Sequence, residues 1–434
     1  MFRVHLKDKG VSPLFIDNPS SLLSKRAIER RQRQHISIDS TDFPISHLYM
    51  KQLEKLGVEV VARSKWMNTV SIYSVDSSLV DRVKELNFVK DVYLVWKGDT
   101  AKTKEPKALF KKTQTLSKND STYGYAYDQM QMMNGKALHD KGYTGKGQEI
   151  AVIDAGYKNL PDIILLDNIS IRGVKDFVYQ AEDMVEGSDH GLKVLSVMGT
   201  NRPSTYIGTA PAAKYWLLRS EDARSEYPIE EDYWVAAAEY ADSVGVDIIN
   251  TSLGYSTFNA PTYSYSYNQL DGKTAFISQA AQIATQKGIL VVISAGNEGN
   301  TSWHKISVPA DALDVLTVGA IRRDSLMASF SSRGPSFDGR TKPDVVALGN
   351  KIAVIAANGE IGQTSGTSFA APVVSGLASC LWQAYPMLTS LQLLDIIKRS
   401  AHKHDDPDNS FGYGIPNMQK AMSLADMLLK ELKK

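Results

Sequence analysis

The chain has 434 residues, more than one compact domain usually holds, and reads first as two domains. Its 49 Lys and Arg nearly balance 48 Asp and Glu, which argues against a general nucleic-acid or membrane-surface role, because both need a basic field. The 43% hydrophobic share supports a real core, the single cysteine excludes an intrachain disulfide, and no apolar run is long enough to span a bilayer.

MFRVHLKDKG lacks the apolar stretch of a signal peptide. Either the protein stays inside the cell, or its signal was removed before this numbering begins. Residues 1–97 read as one small α+β unit. FRVHL is a strand, and SHLYMKQLEKLG has helical spacing at Leu48, Leu53 and Leu56, closed by Gly57. VEVVARS and MNTVSIYSV are strands, SSLVDRVKELN is a second helix and FVKDVYLVW a last strand. The order β-α-β-β-α-β is the ferredoxin-like pattern. The run KRAIERRQRQ is densely basic but has no aromatic residues to stack on bases, so it reads as a solvated helix face rather than a nucleic-acid patch. Residues 98–126 are Lys-rich and aperiodic, and they read as an exposed linker, where proteolytic nicking concentrates.

Residues 127–434 alternate short apolar strands with helices. The strands are EIAVI, KYWLL, DIINTSL, ILVVISA, DVLTVGA and DVVAL, and the helices include YWVAAAEYADSVG, FISQAAQIATQKG and SLQLLDIIKRS. The expected fold is α/β, a mostly parallel sheet with helices on both faces and its chemistry at the carboxyl ends of the strands. The tyrosine-rich YSTFNAPTYSYSYNQ reads as a loop, either packed or near substrate. Cys380 falls on a helical apolar run and reads as a small buried hydrophobe. The amphipathic tail PNMQKAMSLADMLLKELKK reads as a docked surface helix.

Four side chains fall at exits from this sheet. Asp154 ends EIAVI, although many strands end in Asp-x-Gly. His190 precedes Gly191 at a helix start, which suits a proton-transferring base, although most histidines are structural. Asn297 follows ILVVISAG, where its amide is placed to serve an oxyanion or simply a turn. Ser368, in GQTSGTSFAAPVVSGLAS, sits where a Gly turn meets a helix; alone it reads as an ordinary N-cap. Pro372 lies within that helix's first turns, where a missing N–H costs least. NTSLG at 250–254 is a strand end able to pair with an extended peptide. Taken together, the four supply a hydroxyl nucleophile, a base, an orienting carboxylate and an oxyanion donor.

On these blocks the chain resembles the subtilases, the subtilisin-like serine endopeptidases, over roughly residues 140–425, and its N-terminal unit is similar to a subtilase propeptide. The order Asp, His, Ser is the subtilisin order. GTSFAAP (366–372) differs from the commonest family form only at Phe369, where Met is usual. AVIDAGY (151–157), DHGLKV (189–194), SAGNEG (294–299) and SSRGPSFDGRTKPDVVALG (331–349) match other family blocks, with Leu192 and Lys193 replacing the usual Thr and second His. The resemblance implies that Asp154 orients, His190 is base and acid, Ser368 attacks, and Asn297 stabilises the oxyanion together with the Ser368 backbone N–H. It implies that Ser252, Leu253 and Gly254 pair with substrate backbone, and that Ser294, Ala295 and Gly296 line the primary specificity pocket. Subtilases often bind calcium; no matching ligand set is found in this sequence, and no metal or other cofactor is assigned.

The expected architecture is therefore a subtilisin-like catalytic domain (127–434) preceded by a ferredoxin-like propeptide domain (1–97) and a linker with a processing site (98–126). The propeptide is expected to inhibit the enzyme by leading its continuation through the cleft; the alternative for this unit is a permanent binding domain. The expected activity is hydrolysis of peptide bonds in protein or peptide substrates, with no nucleic acid and no membrane span involved. The alternatives are a catalytically silent peptide-binding relative and a nucleotide-binding α/β protein. The latter lacks a phosphate loop, since GYTGKGQE (142–149) precedes a strand rather than following one. A secreted or otherwise extracytoplasmic location is expected, with cytoplasmic as the alternative.

Overall fold

A computed structural model of the protein describes residues 1–10, 18–98, 120–180 and 183–432. The first unit is a four-stranded antiparallel sheet of β1 (Phe2–Leu6), β2 (Glu59–Ser64), β3 (Thr69–Tyr73) and β4 (Val89–Leu94), in the order β2-β3-β1-β4. Helices α2 (His47–Lys55) and α3 (Ser77–Lys84) cover it, and Val4, Met50, Leu53, Val70, Ile72 and Val83 form its core. This is the expected ferredoxin-like order. Leu48 departs from the expected helix face: it is exposed, and Met50 takes its place in the core.

Between β1 and α2 the chain makes an excursion that carries α1 (Lys25–Arg33), capped by Ser24. This is the KRAIERRQRQ run, and the expectation of a solvated face is overturned. Arg30 and Arg31 are almost wholly buried, and both pair with one carboxylate more than 200 residues away in sequence, Asp242. Of the expected linker, residues 120–126 pack on the second unit, with Tyr123 and Ala126 buried; the part at 99–119 lies outside the described residues. The expected passage of the β4 continuation through the cleft also falls there.

The second unit is built on a seven-stranded parallel sheet. In chain order its strands are β5 (Glu149–Asp154), β6 (Ser170–Asp176), β9 (Lys214–Arg219), β10 (Ile248–Thr251), β11 (Leu290–Ser294), β12 (Leu316–Ile321) and β13 (Val345–Leu348). Their spatial order is β13-β12-β11-β10-β5-β9-β6. Two hairpins lie outside it, β7 (Asn201–Arg202) with β8 (Tyr206–Ile207) and β14 (Ile352–Ile355) with β15 (Ile361–Thr364). Successive side chains point to opposite faces, and except at the exposed edge strand β6 both faces are buried, which is why the other strands read as unbroken apolar runs. Ile150, Val152, Ile248 and Val292 pack on one side, and Ala151, Ile153, Ile249 and Ile293 on the other.

The first side carries α4 (Tyr127–Gln131), α5 (Lys136–His139), α6 (His190–Gly199), α9 (Thr367–Ala384), α10 (Ser390–Ser400) and α11 (Met418–Glu431). The second carries α7 (Ile229–Val244) and α8 (Phe276–Gln286). The C-terminal α11 buries Met418, Ala421, Met422 and Ala425, as a docked amphipathic helix should. Cys380 is fully buried on α9. The tyrosine-rich segment is a packed loop, with Tyr255 and Phe258 buried. Among the described residues no helix is long and apolar enough to cross a membrane.

Candidate active site

Asp154 is the last residue of β5 and is almost completely buried. Its Oδ1 accepts two hydrogen bonds of 2.7 Å, one from the backbone N–H of Ala155 and one from His190 Nδ1. A carboxylate only accepts, so Nδ1 carries the proton and His190 Nε2 is left as the basic nitrogen. His190 opens α6, and the residue behind it has to be glycine. A Cβ on Gly191 would stand 2.9 Å from the Cβ of Asp154 and 2.7 Å from the carbonyl oxygen of Gly156. Only a missing side chain lets the helix start this close to the strand end.

The two departures in this block are accommodated. Leu192 is fully buried in the core, and Lys193 donates to Asp189 Oδ1 at 2.8 Å across one turn. Burial alone lowers the basicity of His190. The Asp154 charge and hydrogen bond outweigh it, with the Glu221 carboxyl adding to them, and hold the imidazole above its ordinary value.

Ser368 is the second residue of α9 and is 7% exposed. Its neighbour Phe369 lies against the His190 ring, with centroids 5.4 Å apart, which brings the start of α9 up to the start of α6. In this structure Ser368 Oγ donates to the carbonyl of Ser252 at 3.1 Å and not to His190. Pro372 is the sixth residue of the helix, within its first turns as expected but in the helix interior, where a missing N–H is felt. It has no N–H for the carbonyl four residues back, which is that of Ser368 itself. That carbonyl accepts instead from Ser252 Oγ at 2.8 Å. Ser252 Oγ in turn accepts from Asn250 Nδ2 at 3.0 Å, and Asn250 Oδ1 accepts from Ser375 Oγ at 2.8 Å. The proline thus ties the helix that carries Ser368 to the end of β10.

Asn297 follows β11 and is exposed. Its Oδ1 accepts from the Thr367 backbone N–H at 2.9 Å and from Thr367 Oγ1 at 3.1 Å. A backbone N–H can only donate, so the amide oxygen must face Thr367 and Nδ2 must point the other way. Gly296 is bound to the same hub, its N–H donating to Thr367 Oγ1 at 3.1 Å. Ser294 and Ala295 are buried as β11 ends, and the Ala295 N–H donates to the Val318 carbonyl at 2.9 Å. Ser252, Leu253 and Gly254 run on beyond the last ladder pairs of β10, Thr251 with Ile153 and with Ile293. All ten residues singled out from the sequence therefore gather at the carboxyl ends of β5, β10 and β11 and the starts of α6 and α9.

Sequence reading missed Glu221 and Thr367. Glu221 follows β9, next to β5, and accepts a hydrogen bond from the Tyr255 hydroxyl. Burial pushes its carboxyl up to about 7, against that hydrogen bond. The strand-exit rule that singled out Asp154 would have found it. Thr367 lies at the same turn-to-helix junction as Ser368, and its grip on Asn297 needed the fold. Among the described residues no group of three or more His, Cys, Asp and Glu side chains is arranged to hold a metal ion.

The sheet, its order and its helices define an α/β protein of the subtilisin-like fold. The subtilase family profile matches residues 145–414, and that of the peptidase S8 propeptide domain of Bacteroidota matches residues 1–112. Subtilisin E of Bacillus subtilis (strain 168) is 32% identical over 291 residues, covering 66% of this chain and 68% of that protein. Subtilisin of Bacillus pumilus is 30% identical over 289 residues, covering 66% of this chain and 94% of that one. The crystal structure of MycP1 from the ESX-1 type VII secretion system superposes with a TM-score of 0.57 at 21% identity, covering 74% of this chain and 90% of that one; it supports the fold alone. The chain belongs to the subtilase family and is a serine-type endopeptidase with an S8 propeptide domain.

Proposed function

We propose that this endopeptidase acts through Ser368 as nucleophile, His190 as base and acid, and Asp154 as the group that orients His190 and stabilises its charged form. Asn297 Nδ2 and the backbone N–H of Ser368 are the oxyanion donors. The observation that carries this reading is the 2.7 Å bond from His190 Nδ1 to Asp154, which leaves Nε2 free to take a proton beside Ser368. The hydroxyl leaves the Ser252 carbonyl and turns to Nε2 when a substrate fills the pocket, as catalytic hydrogen bonds commonly tighten only in the complex. Attack on the scissile carbonyl, with the hydroxyl proton passing to His190, forms a tetrahedral intermediate; His190 gives that proton to the amine as the C–N bond breaks, which leaves the acyl-enzyme, and water then cleaves the ester by the same two steps.

At the start of α9 the Thr367 and Phe369 N–H groups are held by Asn297 Oδ1 and the Gly366 carbonyl, so the Ser368 N–H and the positive end of the helix are what serve the developing oxyanion. Ser252, Leu253 and Gly254 pair with the substrate backbone as an added strand, and Ser294, Ala295 and Gly296 form a wall of the pocket for the side chain before the cut. Residues 1–97 act as an inhibitory propeptide and 98–126 hold the processing site. The test is intact mass over time for purified wild type, alongside hydrolysis of an unfolded protein. Cutting within 98–126 and substrate hydrolysis are expected; a chain that does neither contradicts the reading. We also infer action outside the cytoplasm, since a peptidase kept inactive by its own N-terminal unit suits export before activation. Fractionation of source cells that finds the processed form in the cytoplasm would overturn this.

Asn297→Ala should lower kcat by about 10²–10³ with little change in KM, the size known for the equivalent donor of subtilisin itself rather than one obtained from this geometry. Steady-state kinetics check it, and an unchanged kcat removes Asn297 from the oxyanion hole. The acid limb of kcat/KM should have its midpoint above the ordinary imidazole value of about 6.5, because His190 must be neutral to accept the proton and its neighbours favour the charged form. A midpoint below that value contradicts the assignment.

A further inference from the structure

The excursion at residues 18–43 reaches a part of the molecule that inhibition of the cleft does not need. The proposed nucleophile and its partners sit at the carboxyl ends of the parallel strands. Helix α1 sits at their amino ends, roughly 17 Å away along the six residues of β5. There it bridges two connections, the one from α7 to β10 and the one from α8 to β11. Arg26 donates to the carbonyl of Gly245 at 2.9 Å and pairs with Asp247, which immediately precedes β10. Arg30 donates to the Val246 carbonyl at 2.6 Å and the Lys287 carbonyl at 3.2 Å, and pairs with Asp242. Arg31 reaches the other oxygen of Asp242 at 2.6 Å while holding Asp42 of its own unit through two bonds of 2.8 Å. Lys287 answers from the catalytic unit, donating to Asp42 at 3.1 Å.

Each unit thus supplies both signs of charge, and Arg30, Asp242 and Asp42 are fully buried between them. The fit is close. A Cβ on Gly245 would stand 2.6 Å from the Ala27 nitrogen, and one on Gly288 would stand 2.7 Å from Gln34 Nε2. The network is buried and matched in shape, with Arg31 Nε its one atom lacking a partner, and stripping one side from such a buried pair leaves an uncompensated charge, which is strongly unfavourable.

We propose that α1 is a second attachment site, independent of the cleft, which keeps the N-terminal unit on the catalytic unit as a lasting subunit after the chain between them is cut. This rests on the reading of residues 1–97 as a propeptide, and it separates two properties that one unit carries. The β4 side ends near the start of α7, where the Ile229 N–H donates to the Val95 carbonyl at 3.1 Å, on the same edge as Asp154. Blocking the cleft belongs to that side. Holding on is shared between the arm and the sheet, whose Arg3 and Ser71 donate to Asp232 and whose Ser64 donates to Glu239 on α7.

The test uses the full chain carrying Ser368→Ala, with recognition sites for an added protease at both ends of residues 99–119. Cutting then removes any segment that could lie in the cleft and does not depend on the chain's own activity. The two fragments are expected to co-elute in gel filtration; separate elution of the two overturns the proposal. Arg30→Met with Arg31→Met leaves Asp242 buried and unpaired, and should raise the dissociation constant of the cut fragments at least about 30-fold. Arg26→Ala should also raise it. Its side chain is 34% exposed, so this variant decides the matter if the double variant fails to fold. Binding as tight as the parent's in a folded variant overturns the role of the arm. Failure of the catalytic reading would show separately, as an uncut and inactive wild type.

Discussion

Ser368→Ala is expected to abolish both substrate hydrolysis and self-cutting while leaving the protein folded. The size should approach the roughly 10⁶-fold loss in kcat known for the nucleophile of subtilisin itself, a family value rather than one obtained from these distances. The physical basis is the place of this hydroxyl in the first turn of α9, whose Phe369 lies against the His190 ring. Ser252 Oγ is occupied on both sides, donating to the Ser368 carbonyl and accepting from Asn250. Folding should survive because only the hydrogen bond from Ser368 Oγ to the Ser252 carbonyl is lost, on the order of 1 kcal/mol. The more important bond at this residue, from Ser252 Oγ to the backbone carbonyl, is untouched by the substitution. Steady-state kinetics and thermal unfolding check both halves. A folded variant that still cleaves its substrate removes Ser368 from the mechanism.

Asp154→Asn should lower kcat by about 10⁴. The substitution keeps the size of a completely buried side chain, so the sheet should close as before. The Ala155 N–H at 2.7 Å demands an oxygen at the Oδ1 position, and an asparagine satisfies it only with its amide oxygen there. In that orientation His190 keeps its proton on Nδ1 but loses the negative charge that stabilises the imidazolium. The NH₂ then takes the place of Oδ2, which is buried and without a partner, so a desolvated donor is added as well. The alternative orientation sets two donors against each other. With the carboxylate gone, the burial that lowers the basicity of His190 is opposed far less, and the acid limb of kcat/KM should move to lower pH than in wild type. A purely structural role for Asp154 would lower activity without moving that limb.

Much of the catalytic unit was legible because buried parallel strands are continuous apolar runs. EIAVI, KYWLL, ILVVISA and their partners could be found without knowing what covers them. Their carboxyl ends then pointed to Asp154 and Asn297, and the glycines beside His190 and Ser368 marked helix starts with open access. The edge strand β6 was not found: its sequence SIRGVKD is mostly exposed, so it lacks the apolar signature of its neighbours. Pro372 was misread because helix position alone does not reveal a distant hydroxyl, Ser252 Oγ, waiting for the carbonyl it frees. The basic run in α1 was misread for the same reason. Dense positive charge with no interleaved aromatic residues makes Arg30 and Arg31 look like part of a solvated face. Their burial depends on Asp242 and Lys287, whose place beside the arm only the folded chain reveals. Charge complementarity between remote segments has no period to read.

The most direct test of the central claim is labelling of the wild-type enzyme with a fluorophosphonate, followed by peptide mass mapping. A hydroxyl activated by a His190–Asp154 pair should be phosphonylated at Ser368 alone. His190→Ala and Asp154→Asn should each suppress the labelling in folded protein. Absence of label on folded wild type, or label on another serine, would contradict the mechanism and leave the chain as a peptide-binding member of its family.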